Sequence, residues 1–269
     1  MKEREGAVME KDIKSVIRRL FPESLSDVSA FDDWCSPIRQ DAYPGGANLV
    51  TLLEHHLESA KAECHAAGDL KRDHWELFGG DGDKVIKSAG SIRSKLARDL
   101  MDEKITAQRI TEEALQRRIL GFSDLGRVRI VADFPSDVAF LRKKLLTDKK
   151  FIGQYKCPKG IKDFVFDPSK RDGLKGHRAL QFSVRVPIDD TSDFGFEVQL
   201  MTRLQHAWDR RNHPLYEWQR EKPDWMENQA AVELAVDDFA CAEALHLVDR
   251  QADQNWKRLQ KLLKKESLS

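Results

Sequence analysis

The sequence predicts an α/β (α+β) domain built on a mixed β-sheet flanked by helices, and three observations carry that expectation. Hydrophobic period switches from helical to alternating near the middle of the chain, strand-like runs there are separated by a helical one, and a long helical segment closes the C-terminus. At 269 residues the chain has room for one substantial domain with helical additions, or for two small ones.

Taken in order, residues 11–20 suit a short helix ended by the Phe21-Pro22 step. Residues 25–47, rich in Pro, Gly, Asp and Ser, read as a connector. Leu49, Leu52, Leu53, Leu57 and Ala60 then recur at helical spacing over residues 49–67, and a further helix is expected over 91–101. RVRIV, from Arg127 to Val131, is β-branched and strand-like, while residues 136–146 put Val138, Leu141 and Leu145 on one helical face. Residues 179–186 alternate again, as does FEVQL from Phe196 to Leu200. In the latter, Phe196, Val198 and Leu200 form an apolar face and Glu197 and Gln199 a polar one, which then runs without a linker into helix-like sequence. The tail, residues 228–265, carries one apolar stripe of Val232, Ala235, Val236 and Phe239 and a later one of Trp256, Leu259, Leu262 and Leu263. Core packing is the ordinary use of such stripes, and a homo-oligomer interface is the alternative. The implied division is residues 1–47 as N-terminal extension, 48–220 as the main domain and 221–269 as a C-terminal helical segment.

Composition excludes several classes. Lysine plus arginine balance aspartate plus glutamate at 45 each, so no global charge advertises nucleic acid or membrane. Cys35, Cys64, Cys157 and Cys241 show no metal-binding spacing and read as reduced thiols. No apolar stretch is long enough for a leader core or a bilayer crossing, and a cytoplasmic protein is expected. His55 and His56 lack a third ligand in view and are read as surface residues; Trp208 and Leu204, one helical turn apart, are read as core.

Chemistry concentrates in a few places. Asp124, just before RVRIV, and Glu197, inside the later strand, would hold a Mg²⁺ ion between them if their strands are neighbours, since Mg²⁺ takes a few hard oxygens and keeps waters. Strand parity sets Asp124 and Arg129 on opposite faces unless Gly126 distorts the run, as a bulge would. Between Lys149 and Arg178 stand nine Lys/Arg against three Asp/Glu, among several Gly and Pro. That segment suits a polyphosphate-wrapping loop as well as a solvated one. No Walker-type or GxGxxG loop is present.

Together these motifs resemble the synthetase domain of the RelA/SpoT family, the alarmone synthetases, over roughly residues 49–218. VIKSAGSIRSKL approaches the family's R-x-K-x-x-x-S-I-x-x-K at Lys87, Ser91, Ile92 and Lys95. SDLGRVRIV approaches D-L-x-G-x-R, keeping Asp124 and Arg129. KDFVFDPSKRDGLKGHRALQ echoes the K-D-Y-I…G-Y-x-S-x-H loop, and EVQLMT with LQHAW…NHPLY matches the E-[IV]-Q-[IL]-R-T strand and following helix of small single-domain members.

The resemblance implies a nucleotidyltransferase-like fold and transfer of the β,γ-pyrophosphate of ATP to the 3′-hydroxyl of GDP or GTP. It implies that Asp124 holds Mg²⁺ and that Glu197 helps hold it or takes the hydroxyl proton. Gln199 would support the acceptor side, Lys87 and Lys170 would contact phosphates, and Arg129 would stack on adenine, which suits a planar guanidinium. Ser91, Lys95, His177 and His213 join the nucleotide-binding set, and Gln205, His206 and Trp208 extend or brace the wall. Four positions depart from the pattern: Val85 replaces an Arg, with Lys84 beside it; His177 replaces the acceptor-stacking Tyr; Gln181 replaces a His; and Met201 replaces an Arg. The altered acceptor side leaves open two further readings. One is a toxin-type relative acting on tRNA 3′ ends or making adenosine alarmones; the other is a catalytically degenerate binding module. No His-Asp pair of the family's hydrolase half is present, so no alarmone hydrolysis is expected.

Overall fold

The computed structural model describes residues 13–66, 75–79, 85–103, 109–154, 161–166, 176–188, 193–221 and 225–266. Its helices are α1 (Ile13–Leu20), α2 (Val28–Ala66), α3 (Ala89–Asp102), α4 (Glu112–Leu120), α5 (Pro135–Thr147), α6 (Lys149–Gln154), α7 (Arg203–Glu221) and α8 (Gln229–Glu266). Its strands are β1 (Glu76–Phe78), β2 (Gly126–Ala132), β3 (Lys162–Asp163), β4 (Leu180–Pro187) and β5 (Asp193–Thr202). The strands form one sheet in the order β1-β2-β5-β4-β3, with β2 and β5 parallel and the other pairs antiparallel. The expected mixed sheet with flanking helices is therefore the architecture found.

The apolar face of the sheet carries Val128, Ile130, Phe196, Val198, Leu200, Phe182 and Val184, all buried in the main core. Helices α2, α3 and α5 contribute to the same core, α5 through the expected Val138, Leu141 and Leu145. Ser88 caps α3, its hydroxyl accepting from the Ser91 amide at 3.2 Å. That bond satisfies one of the otherwise orphaned amides at the helix start.

The segment read as a connector is helical. Residues 28–47 belong to α2, which runs on unbroken through the proposed boundary at 47/48 despite Pro37 and Pro44. Phe31, Cys35, Ile38 and Ala42 on one side of that boundary share a core with Leu49, Leu53 and Leu57 on the other. Gly45 and Gly46 are close-approach residues rather than turn residues. A Cβ on Gly45 would stand 3.2 Å from Val186, and one on Gly46 would stand 3.3 Å from both Phe196 and Val85. Burial along this long helix outweighs the two proline penalties, each about 3 kcal/mol in an isolated helix interior.

Gly126 introduces no bulge, the distortion that could have brought Asp124 and Arg129 to one face. The β2–β5 register is continuous from Gly126 opposite Phe196 to Ala132 opposite Thr202. Glycine is needed there because a Cβ would lie 2.3 Å from the Phe196 ring. The C-terminal stripes also need correction: Ala235 is buried, but Val236, Leu259, Leu262 and Leu263 are exposed. The buried positions of α8 are instead Ala231, Ala235, Ala242, Asp249 and Asp253. Thr202 donates to Asp249 and Ser136 to Asp253, so hydrogen bonds join the buried alanines and the Trp256–Phe134 stack, with ring centroids 5.7 Å apart, in seating this helix. No helix among the described residues is long and apolar enough to cross a membrane.

Candidate functional site

The polar face of the sheet is a ladder in register. Phe78, Arg129, Gln199, Gln181 and Lys162 pair successively across all five strands. One step along lies a second row, Arg127, Glu197 and Ser183. Because side chains alternate along each strand, all of these project opposite to the apolar core. Of these, Arg127, Arg129, Lys162, Gln181, Glu197 and Gln199 floor a cleft of about 740 Å³ whose rim comes from the start of α3 (Ser88, Gly90, Ser91), from the Gly176-His177 stretch, from α7 and from the first turns of α8. That volume lies in the range of small-molecule sites.

The floor is one hydrogen-bonded network. Arg127 Nε donates to Glu197 Oε2 at 2.8 Å, and Gln199 Nε2 donates to the same oxygen at 2.8 Å. Arg129 Nε donates to Gln199 Oε1 at 3.0 Å, while its Nη2 lies 2.7 Å from Asp209 Oδ2. The other oxygen of Asp209 is 2.8 Å from His177 Nδ1, and Gln181 Nε2 is 2.7 Å from His177 Nε2. Asp209 is largely buried, which favours its neutral form, yet its bond to His177 and the charges of His177, Arg129 and Arg127 prevail and hold its pKa down at about 2.

At the other end stands Asp124. Lys87 Nζ donates to its Oδ2, and Lys95 Nζ lies 3.4 Å from Oδ1 at ion-pair distance. Oδ1 is buried with no hydrogen-bond partner. Burial works against the charged carboxylate, but Lys87 and Lys95 outweigh it and the pKa is lowered. Lys87 is itself lowered, by burial first and against the pull of Asp124. An orphaned carboxylate oxygen is a ready ligand for a hard cation. Among the described residues no group of three or more His, Cys, Asp or Glu side chains could hold a metal, and the pair expected from sequence, Asp124 and Glu197, both line the cleft. That sparse set fits Mg²⁺, which keeps waters and shares phosphate oxygens, better than an ion needing a protein cage. The amide-bearing start of α3, with Ser88, Gly90 and Ser91 on the cleft, adds donors suited to phosphate.

Of the residues singled out from sequence, Asp124, Glu197, Lys87, Ser91, Arg129, His177, Gln199 and His213 all line this one cleft. Asp124 precedes β2 rather than belonging to it, so strand parity does not separate it from Arg129. Lys95 reaches the site through Asp124 and lies with its ammonium 4.9 Å from the Phe122 ring centroid. Lys170, Lys84 and Cys157 lie outside the described residues. Trp208 is buried as expected and also lines the cleft. Gln205 turns away to Asp249 at 3.5 Å, and His206 packs on Phe78 with ring centroids 4.5 Å apart, so both brace rather than line the wall. His56 is a partial exception to the surface reading: its Nδ1 lies 3.3 Å from Asp148 and its ring packs edge-on to Phe151.

Val85 and Met201 are both buried. Met201 packs with Val131 and Ala179 in a small apolar cluster of its own, one row beyond the polar ladder. The sequence reading missed two residues of the network. Arg127 was detectable, since it is two residues from Arg129 and must share its face. Asp209 had no sequence signal: it lies in a helix between Trp208 and Arg210, 80 residues from Arg129.

No family profile and no curated protein matches the chain. Solved structures do. Small alarmone synthetase 1 from Bacillus subtilis, bound to its product pppGpp, superposes with a TM-score of 0.55 at 14% identity, covering 80% of this chain and 95% of that one. A GTP pyrophosphokinase family protein from Streptococcus pneumoniae gives 0.56 at 17% identity, covering 83% and 95%. The chain thus has the fold of the small alarmone synthetases, the RelA/SpoT-type synthetase fold.

Proposed function

We propose that this protein is a Mg²⁺-dependent nucleotide pyrophosphokinase that transfers the β,γ-pyrophosphate of ATP to the 3′-hydroxyl of a guanosine nucleotide. The observation that carries the reading is the presence of Asp124, whose buried Oδ1 accepts no hydrogen bond, and Glu197 in one cleft crowded with cations. Lys87, Lys95, Arg127 and Arg129 supply the positive charge a polyphosphate needs.

In this reading the acceptor 3′-oxygen bonds to the β-phosphorus, the bond from that phosphorus to the α-phosphate oxygen breaks, and AMP leaves. Asp124 and Glu197 would hold the Mg²⁺ ion, which when bound would neutralise charge on the phosphates. The chain's own share is positioning and electrostatics, which phosphoryl-type transfer mainly requires. Both donors to Glu197 converge on Oε2, which leaves Oε1 to face the cation or accept the hydroxyl proton. Lys87 is set to exchange Asp124 for a phosphate oxygen as nucleotide enters. The start of α3 adds amide donors, and Arg129, held in plane by Gln199 and Asp209, offers its face to a base.

The test is incubation of purified protein with labelled ATP and Mg²⁺, offering GDP, GTP, ADP, ATP and total tRNA as separate acceptors. A labelled guanosine product that disappears in Glu197→Gln and Asp124→Asn supports the reading. Transfer only to an adenosine nucleotide or to tRNA would replace the acceptor, and no transfer from folded protein would overturn the enzymatic reading.

A further inference from the structure

Asp209 touches two planar cleft side chains, one through each oxygen. Oδ2 lies 2.7 Å from Arg129 Nη2, and Oδ1 lies 2.8 Å from His177 Nδ1. The remaining edges are tied as well: Arg129 Nε donates to Gln199 at 3.0 Å, and His177 Nε2 meets the Gln181 amide at 2.7 Å. Gln199 and Gln181 are themselves register partners on β5 and β4. A guanidinium and an imidazole whose edges are engaged in this way have no nitrogen left for acid–base or ligand work on the side that is tied. What they retain is their faces, and both line the cleft with a fraction of the side chain still exposed, 19% for Arg129 and 27% for His177. Flat, partly exposed faces of this kind bind planar aromatic ligands by stacking. Fixing such a face in advance removes the rotamer entropy that binding would otherwise cost.

We infer that Asp209 is a positioning residue that pre-sets two stacking platforms at once, Arg129 for one nucleobase and His177 for the other, and so couples the two nucleotide subsites of the cleft. The inference rests on the two-nucleotide reading given above, but it makes a claim of its own about binding. Cutting the carboxylate's bonds releases both platforms together, so one substitution on α7 weakens two ligands that never touch it. Asp209 is not itself a catalytic residue, and the expected signature differs from that of Glu197. Loss of a platform raises the concentration needed for half-saturation and leaves turnover at saturation nearly intact.

The experiment is calorimetric titration of α,β-methylene ATP and of GDP, each alone in the presence of Mg²⁺, into wild type, Asp209→Asn, Asp209→Ala and His177→Phe. Thermal melting checks that each variant is folded. Asp209→Asn and Asp209→Ala should weaken both ligands roughly 3- to 10-fold, the scale of one re-mobilised side chain at each subsite. His177→Phe keeps a ring and removes both nitrogens, so it isolates one arm. In that background Asp209→Asn should weaken only the ligand that stacks on Arg129. Where turnover is measurable, the Asp209 variants should raise KM for both substrates and change kcat less than about threefold. Folded Asp209 variants that bind both ligands as wild type does, or that lose only one of them, overturn the inference. Wild-type protein that binds both nucleotides but transfers nothing would sink the pyrophosphokinase reading and leave the platform result standing on the titrations. Wild-type protein that binds neither nucleotide overturns both.

Discussion

Arg127 and Glu197 are direct register partners on the parallel β2–β5 pair, and the Arg127 Nε sits 2.8 Å from Glu197 Oε2. A carboxylate inside a strand would ordinarily rotate among its staggered positions. Here the guanidinium on one side and the Gln199 amide on the other hold a single oxygen, and the remaining one keeps a defined direction. The relationship makes Arg127 as much a part of the site as the residues that resemble a known motif.

Arg127→Met should therefore reduce pyrophosphate transfer 10- to 100-fold, since small displacements of a reacting group carry penalties of that order. A loss of stability is expected with it, because the Glu197 carboxylate, only 16% exposed, is left without its cation. Steady-state assays with chemical denaturation of the same protein would check both halves. Transfer within twofold of wild type would remove Arg127 from the machinery.

Much of this face was legible beforehand, for a physical reason. Alternation in a half-buried strand is a local property, so Glu197 and Gln199 opposite Phe196, Val198 and Leu200 announced a polar face before any contact was known. What stayed hidden was non-local. The Pro37 and Pro44-Gly45-Gly46 signals of residues 28–47 are local breakers, and they were overridden by burial against Phe196, Val186 and Val85 from distant parts of the chain. Asp209 likewise acquires its meaning only when α7 is laid over β2 and the Gly176-His177 stretch. The core reading of the apolar tail stripes is right at Ala235 but not at Val236, Leu259, Leu262 and Leu263, because the buried side of α8 uses alanines, Asp249 and Asp253 rather than leucine.

Gly126→Ala should be destabilising out of proportion to one methyl group. The added Cβ would meet the Phe196 ring at 2.3 Å in a fully buried layer, and overpacking of this kind costs about 1–3 kcal/mol. Phe196→Leu destabilises on its own by removing core volume, but it vacates the space the methyl group needs. The double variant should therefore be clearly less destabilised than the sum of the two single ones, measured by urea unfolding. Simple additivity would mean that the ring contact is not what requires glycine.

Met201→Arg, which restores the residue of the related motif, should not improve the site. Met201 is fully buried in an apolar cluster with Val131 and Ala179. Placing an unpaired guanidinium there should cost about 3 kcal/mol or more, or expel the side chain with loss of the packing on Val131 and Ala179. A melting temperature lowered by several degrees, with no gain in nucleotide affinity, is the expected result. A stable variant with tighter nucleotide binding would show that the row beyond the ladder reaches phosphate after all.

Asp209 also predicts a pH dependence whose sign follows from its ionisation. Its folded pKa lies at about 2 against an ordinary value of 3.8, so folding favours the charged carboxylate. That contribution is complete above the unfolded value, declines as pH falls from about 5, and is gone below the folded value. The shift corresponds to roughly 2 kcal/mol at most, and the side chain is only 16% exposed, so little of it is lost to screening. Wild-type protein should accordingly lose about that much more unfolding free energy than Asp209→Asn between pH 5 and pH 2. At pH 7 the asparagine variant should be the less stable of the two, and the gap should close on acidification. Parallel stability curves would show that Arg129 and His177 do not hold this carboxylate ionised, and the network would then have to be anchored by Gln199 and Gln181 alone.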